Sequence, residues 1–190
     1  MGKVYDSITD DLARWLGAQP VFFVATATTD PDTHVNVSPR GLDTFRVLEP
    51  NRVAWLDLTG SGVETIAHLR ADGRITLMFC AFGDPPQIIR LQGHGRVHEP
   101  GDPDFEELRL RVPDLPGERA IVDVAVRRVA SSCGYGVPRM ELLGPREQLL
   151  DSAERKGPEK MAEYRARRNA QSIDGLPGLV LDLTGRGERT

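Results

Sequence analysis

Hydroxyl groups, glycines and a helix start lie together in one short segment, Asp57-Leu-Thr-Gly-Ser-Gly-Val-Glu-Thr-Ile-Ala-His-Leu69. An apolar strand pattern leads into a helix here, and the spacing of Ser61 and Glu64 predicts a capping box at the helix start. The hydroxyls of Thr59 and Ser61, with the free N–H groups of the first helical turn, favour an anion. Thr65 follows Ser61 by one helical turn and faces the same side. We predict a phosphate site, with an ordinary capped helix as the alternative.

A second segment, Ser38-Pro-Arg-Gly41, ends another short strand and supplies a hydroxyl and a guanidinium. Arginine makes bidentate, charge-assisted hydrogen bonds to phosphate, and the glycine lets the backbone approach a ligand closely. Taken alone, Ser38 and Arg40 also fit an exposed turn with a surface arginine. The two segments together predict a phosphorylated cofactor.

Trp55 and Asp57 share one face of the strand that leads into the first segment, because side chains alternate along a strand. We expect Trp55 to lie in the core. Asp57 is next to the predicted phosphate end of the site. We predict that it hydrogen bonds a ribityl chain or a ring edge, with a surface carboxylate as the alternative.

Several familiar sites have no support in the sequence. The helix-start segment lacks the Gly-Lys-Ser/Thr ending of a Walker loop, and no Gly-x-Ser-x-Gly elbow indicates a hydrolase. The four histidines lack metal-ligand spacing, so we predict no metal site. Cys80 and Cys133 have no CxxC context, which favours a reducing, cytoplasmic location over a disulfide or zinc framework.

Composition limits the class of protein. The chain has 190 residues, of which 39% are hydrophobic, and this length supports one domain with one core. A net charge of -4 and 6% aromatic residues argue against a nucleic-acid partner. The acids within Met1–Asp11 do not fit a signal peptide, and no run approaches the roughly 18 apolar residues of a membrane span. We therefore expect a protein that does not bind membranes.

The region from Val21 to Val97 has mainly β character. Six closely spaced β-rich runs are separated by turn residues and interrupted by one helix near residues 62–70, which favours an antiparallel barrel over a βαβ sheet. Gly93 and Gly95 predict a bulge or sharp bend in the sixth run. Further predicted elements are helices at 8–16, capped by Ser7, and at 104–111, a strand at 120–132, and a helix-prone tail at 146–172 that breaks at Gly157-Pro158.

Three motifs carry a family resemblance: Asp57 to Thr65, Ser132-Cys-Gly-Tyr-Gly-Val-Pro138 and Ser172-Ile-Asp-Gly-Leu-Pro177. In this order they resemble the pyridoxamine 5′-phosphate oxidase-like family of flavin-binding split β-barrels, in particular a related branch found in bacteria and fungi. The resemblance implies a mainly β fold with peripheral helices (α+β), built as an antiparallel split barrel that binds FMN. We predict a single domain at 1–190, with the barrel core at 20–130 and a C-terminal loop and helical extension at 131–190.

The resemblance also implies a homodimer with two FMN sites at the subunit interface. By position, one strand end and one helix start bind the phosphate, Asp57 lies beside the flavin, and the loop at 134–138 approaches the partner's flavin. With Thr59 added from the helix-start segment, the candidate cofactor-binding residues are Ser38, Arg40, Asp57, Thr59, Ser61, Gly62, Thr65, Tyr135 and Pro138.

Two departures limit the predicted reaction. Pyridoxamine phosphate oxidases have an Arg-Lys pair after the serine of the helix-start loop, where this chain has Gly62-Val63. Their C-terminal Arg-x-His pattern is missing from the final residues, Thr184 to Thr190. We therefore predict FMN binding without assigning pyridoxamine phosphate as substrate.

The predicted function is that of an FMN-dependent oxidoreductase acting on a small-molecule redox substrate, with the flavin supplying the redox chemistry. No side chain is assigned as a catalytic acid or base. Two alternatives stay open: a deazaflavin-dependent reductase of the same barrel, and a non-catalytic flavin- or haem-binding module.

Overall fold

A computed structural model describes residues 2–180 of the chain. The segment Thr184–Thr190, from which the Arg-x-His pattern is missing, lies outside the described residues. The strands are β1 (Val4–Tyr5), β2 (Phe22–Thr26), β3 (Asn36–Arg40), β4 (Phe45–Glu49), β5 (Arg52–Leu58), β6 (Arg74–Cys80), β7 (Ile88–His98) and β8 (Glu118–Ser132). The helices are α1 (Asp10–Gly17), α2 (Glu64–Ala71), α3 (Phe105–Arg109) and α4 (Gln148–Arg168).

The eight strands form one antiparallel sheet in the order β3-β2-β6-β7-β8-β5-β4, with β1 paired to β8. This confirms the predicted mainly β fold with peripheral helices. The register of β7 against β8 shifts between Gln92 and Gly93, where we expected a bulge. A Cβ on Gly93 would lie 2.1 Å from the carbonyl oxygen of Ala125, so the two strands approach too closely there for any side chain.

The core lies on the inner face of the sheet, where alternate residues of β2 and β6 are buried. Four aromatic rings form its centre, with neighbouring ring centroids 4.9 to 5.9 Å apart: Phe22, Phe45, Trp55 and Phe79. Trp55 is fully buried, as predicted. Helix α1 covers part of this core with Leu12 and Leu16.

Both predicted helix caps are wrong. Helix α1 begins at Asp10, because the Thr9 hydroxyl, rather than Ser7, accepts the Leu12 N–H at 3.3 Å. Helix α2 has Val63 at its N-cap and no side-chain cap. The Glu64 carboxylate accepts the backbone N–H of Ile173 at 3.3 Å. A distant segment therefore holds the side chain that the predicted capping box would use.

The C-terminal part of the described residues consists of α4 and a tail that packs against α2. Gly157 interrupts α4 with a φ of 70°, which confirms the break predicted at Gly157-Pro158. The tail at residues 169–180 then turns back, and Leu179 is buried against Val63 and Ile66. None of the helices within residues 2–180 has the length and apolarity that crossing a membrane requires.

Candidate functional site

The two segments that the sequence singled out meet at one cleft of about 420 Å³. One wall is the end of β3, and the other is the loop between β5 and α2 with the first turn of α2. The predicted residues that line the cleft are Ser38, Arg40, Ser61, Gly62 and Thr65. The sheet brings the two walls together because β3 is an edge strand and α2 packs beside it.

Asp57 lies behind the cleft and is 0% exposed, so the surface-carboxylate alternative is wrong. Its Oδ1 is 3.1 Å from Arg40 Nε, and its Oδ2 accepts a hydrogen bond from Arg119 Nε at 2.8 Å. Trp55 Nε1 donates to Oδ1 at 3.4 Å. Asp57 is thus a counter-ion shared by two arginines, and it fixes the Arg40 guanidinium at the wall of the cleft.

The charge of this cluster favours an anion. Burial alone raises the pKa of the Asp57 carboxyl, but the guanidiniums of Arg119 and Arg40 outweigh burial and hold that pKa below its ordinary value. Asp57 and the two guanidiniums leave one positive charge in excess around Arg40. Glu64 also lines the cleft on the α2 side, where its carboxylate accepts the N–H of Ile173, so these four side chains together carry no net charge.

A chain of hydrogen bonds joins the two walls. Ser38 Oγ donates to Asn36 Oδ1 at 2.8 Å, and Asn36 Nδ2 donates to Thr65 Oγ1 at 3.0 Å. Arg40 Nη2 lies 3.5 Å from the same Thr65 oxygen. Sequence reasoning missed Asn36. Its position two residues before Ser38 was the available signal, since alternate residues of a strand share a face.

Two buried side chains hold the loop between β5 and α2 from its inner side. Asn169 Nδ2 donates to the carbonyl oxygen of Gly60 at 3.1 Å, and Arg119 Nη1 donates to that of Gly62 at 2.8 Å. Asn169 lies 109 residues after Gly60, and no local pattern in the sequence pointed to it.

Three candidate residues lie away from the cleft. The Thr59 hydroxyl donates to the carbonyl oxygen of Gly117 at 2.8 Å and is buried. Tyr135 and Pro138 line a separate recess beside Phe82 and Asp84. Tyr135 is 82% exposed. Within one chain, the structure does not bring these three residues to Arg40.

No cluster of three or more histidine, cysteine, aspartate or glutamate side chains within residues 2–180 has a geometry that would hold a metal ion. Apart from the Glu64 carboxylate, which accepts the N–H of Ile173, the charged and hydroxyl side chains that line the cleft are guanidiniums and hydroxyls. These groups suit an anion.

Comparison with known proteins agrees with this geometry. The family model for pyridoxamine 5'-phosphate oxidase matches residues 8–133. A pyridoxamine 5'-phosphate oxidase family protein of Aspergillus flavus, ustO, is 41% identical over 203 residues, covering 97% of this chain and 80% of that protein. The chain belongs to the pyridoxamine 5'-phosphate oxidase family.

Two solved structures share this fold. A candidate pyridoxamine 5'-phosphate oxidase from Lactobacillus delbrueckii matches with a TM-score of 0.52 and 18% identity, covering 67% of this chain and 98% of that chain. HupZ from Group A Streptococcus matches with a TM-score of 0.50 and 18% identity, covering 66% and 99%. At this identity the likeness concerns the fold.

The family's expected Arg-Lys pair is replaced here by residues that carry no charge into the cleft. A Cβ on Gly62 would lie 2.3 Å from Glu64 Oε2, so this position is crowded by the Glu64 side chain. Val63 is buried against Ile66, Ala120 and Leu179. The positive charge of this pyridoxamine 5'-phosphate oxidase family cleft therefore comes from Arg40, with Arg119 behind it.

Proposed function

We propose that the protein binds FMN, with the phosphate in the cleft between β3 and the start of α2, and acts as an FMN-dependent oxidoreductase on a small-molecule redox substrate. The observation that carries the proposal is the Arg40 guanidinium, which buried Asp57 fixes beside the hydroxyls of Ser38 and Thr65. Family membership supports the same cofactor class.

The residues present fit a phosphate. Among residues 2–180, Arg40 Nη1 and Nη2 make only long hydrogen-bond contacts, 3.4 Å to the Pro39 carbonyl oxygen and 3.5 Å to Thr65 Oγ1. Both nitrogens can therefore donate to a ligand at shorter distance. A volume of about 420 Å³ falls within the range of small-molecule sites.

The bound flavin would supply the electron-transfer chemistry. The chain's own residues hold it: Arg40 neutralises the phosphate charge, and Asp57 keeps Arg40 in place. Thr65 donates its hydroxyl to the phosphate, and Ser38 does so once its hydroxyl turns away from Asn36 Oδ1. No side chain of the cleft is assigned as a proton donor or acceptor for the substrate.

We also propose a homodimer, with the outer face of β3 and β2 as the contact. Val35 is 72% exposed and Val37 is 64% exposed, and Pro39 continues the row along β3. Phe23 and Met78 extend it across the neighbouring strands, opposite Pro39 and each other. Contiguous exposed apolar side chains mark association surfaces. In this assembly the loop with Tyr135 and Pro138 would approach the partner's flavin.

The cofactor is tested on freshly purified protein by its visible spectrum and by the mass of the compound that heat releases. We expect a yellow protein that releases FMN. If heat releases a deazaflavin or haem instead, that compound is the cofactor and the FMN assignment is wrong. A protein that neither carries nor binds added flavin would contradict the proposal.

The redox role is tested on the loaded protein. The bound flavin is photoreduced, and its reoxidation by candidate acceptors is followed beside that of free FMN. Reoxidation faster than that of free FMN supports an enzyme. An equal or slower rate with every acceptor would favour a non-catalytic flavin-binding module.

The dimer is tested by light scattering coupled to size-exclusion chromatography. Val37→Glu places a charge in the proposed contact and should yield monomers. Leu110→Glu is the matched control, because Leu110 is 87% exposed at the end of α3 and lies outside the proposed contact. A parent protein that elutes as a monomer would contradict the proposed assembly.

A further inference from the structure

The C-terminal tail determines the direction of one carbonyl in the loop after β5. Asn169 directly follows α4, is fully buried and donates through Nδ2 to the Gly60 carbonyl oxygen. The tail that carries Asn169 is itself anchored. The Leu179 N–H donates to the Asn169 carbonyl oxygen at 2.8 Å, and the Leu179 side chain is packed against Val63.

A second carbonyl of the same loop is held from the same side. Arg119 is buried, pairs with Asp57 through Nε and donates through Nη1 to the Gly62 carbonyl oxygen. The carbonyls of Gly60 and Gly62 therefore both point towards the interior of the protein, away from the cleft.

These carbonyls fix the direction of the N–H groups that follow them. In a planar trans peptide the C=O of one residue and the N–H of the next point to opposite sides. The peptide bonds after Gly60 and Gly62 are both trans. The N–H groups of Ser61 and Val63 are thereby directed away from the interior, towards the side where Ser61, Gly62 and Glu64 line the cleft. Val63 itself is buried and lies beneath this lining. Among residues 2–180, neither N–H donates to a backbone carbonyl.

We propose that the N–H groups of Ser61 and Val63 bind the FMN phosphate in place of the Arg-Lys pair, and that Asn169 and Arg119 are the positioning residues that aim them. This inference rests on the proposed function and names the donors on the second wall of its site. Backbone N–H groups that point to the same side of a loop at a helix start bind anions without a side-chain charge. The arrangement accounts for a glycine and a buried valine at positions 62 and 63.

The main test measures the affinity of Asn169→Ala for FMN and for riboflavin by flavin fluorescence. Riboflavin lacks the phosphate. N–H groups that no longer point at the phosphate should therefore weaken the binding of FMN and leave the binding of riboflavin unchanged. We expect a roughly tenfold rise in the FMN dissociation constant, as for the loss of about one hydrogen bond to a charged group, and no change for riboflavin. Equal weakening of both ligands, or no change in either, would overturn the inference.

Ser172→Ala is the matched control. Ser172 is also buried in the tail, and its Oγ accepts the N–H of Leu176 at 3.1 Å without touching the loop. The Ser172→Ala variant should bind FMN and riboflavin with the same ratio of affinities as the parent. Asn169→Asp serves where the alanine variant does not fold, because it keeps the shape of the side chain while its carboxylate cannot donate to Gly60.

A measurement on the parent separates the two proposals. Amide resonances of Ser61 and Val63 are followed while FMN, riboflavin or inorganic phosphate is added. Resonance shifts with FMN and with phosphate, but not with riboflavin, support phosphate binding by these two N–H groups. If FMN does not bind, the proposed function fails, and the response to phosphate alone still decides the inference. Amides that do not respond to FMN or to phosphate would overturn it.

Discussion

The cleft and the loop at residues 133–147 place predicted site residues in opposite surroundings. At the cleft, buried partners from distant parts of the chain hold Arg40 and the β5–α2 loop. In the loop, Tyr135 and Leu143 are among the most exposed large apolar side chains of the described residues, and Met140 is exposed as well. The cleft is thus built within one chain, whereas the loop presents surface that only another molecule would bury.

This difference predicts which substitutions act through folding and which act through ligand contact. Residues behind the cleft should affect both stability and FMN binding. Substitutions at the wall of the cleft should weaken only the binding of the phosphate. Substitutions in the loop should weaken only the binding of the flavin ring.

The largest effect is expected for Asp57→Asn. The amide leaves Arg40 and Arg119 without the carboxylate that neutralises them in a buried site, and breaking a buried ion pair in this way costs about 3–5 kcal/mol. Urea unfolding should show this loss of stability, accompanied by loss of FMN. Asp43→Asn is the control, because Asp43 pairs with Arg46 on an exposed turn and should change stability by less than about 1 kcal/mol. Equal stability of Asp57→Asn and the parent would contradict the shared counter-ion.

Acid should reproduce part of this loss by protonating the same carboxyl. The folded protein lowers the pKa of Asp57, so this carboxyl binds its proton more readily in the unfolded chain. Its contribution to stability is complete above the ordinary pKa of about 3.9 and declines as the pH falls through the lower folded pKa.

Urea unfolding midpoints measured between neutral pH and about pH 3 test this linkage, since that range contains the ordinary carboxyl pKa. The parent should lose stability below about pH 4, and Asp57→Asn should lack this part of the decline. Glu99 acts with the opposite sign, because burial raises its pKa, and Glu99→Gln isolates that contribution. If stability declines with falling pH to the same extent in the parent and in Asp57→Asn, Asp57 does not contribute to the acid dependence and this prediction is wrong.

A smaller and more selective effect is expected for Arg40→Ala. Asp57 keeps Arg119 as a partner, so the fold should persist while the phosphate loses a charge-assisted contact of about 1.5–3 kcal/mol. FMN affinity should fall by roughly 10- to 150-fold, with riboflavin affinity unchanged. Arg46→Ala removes a guanidinium outside the cleft and serves as the control. An Arg40→Ala protein that purifies as fully loaded with flavin as the parent would rule out this phosphate site.

Local patterns were sufficient for the fold and for both walls of the cleft. Alternating apolar residues and the turn residues between the strands determined most element positions, and the strand predicted at 120–132 is β8, Glu118–Ser132. The single arginine and the hydroxyls near Ser61 were visible because each lies at the end of an apolar strand. These features depend on neighbours within a few residues, which a single sequence displays directly.

The supports of the cleft were not visible in the same way. Asn169 and Arg119 act across sequence separations of 109 and 57 residues, and their roles depend on how the tail and β8 pack against the loop. The same packing explains the failed capping box, since Ile173 takes the Glu64 carboxylate. For Asp57, the sequence predicted the correct face of the strand. Its burial depends on ion pairs with two arginines, and no periodic pattern in the sequence identifies these partners.

The smallest effect is expected for Tyr135→Ala. Because Tyr135 is 82% exposed within one chain, its loss should change the free energy of unfolding by no more than about 0.5 kcal/mol. If the loop contacts the partner's flavin ring, affinity for FMN and riboflavin should fall together, by roughly 2- to 10-fold for the loss of one aromatic contact. Fluorescence titration of both ligands measures this, with Leu143→Ala as a control at another exposed position of the same loop. A fall for FMN alone would place Tyr135 near the phosphate, and unchanged affinity for both ligands would remove it from the flavin site.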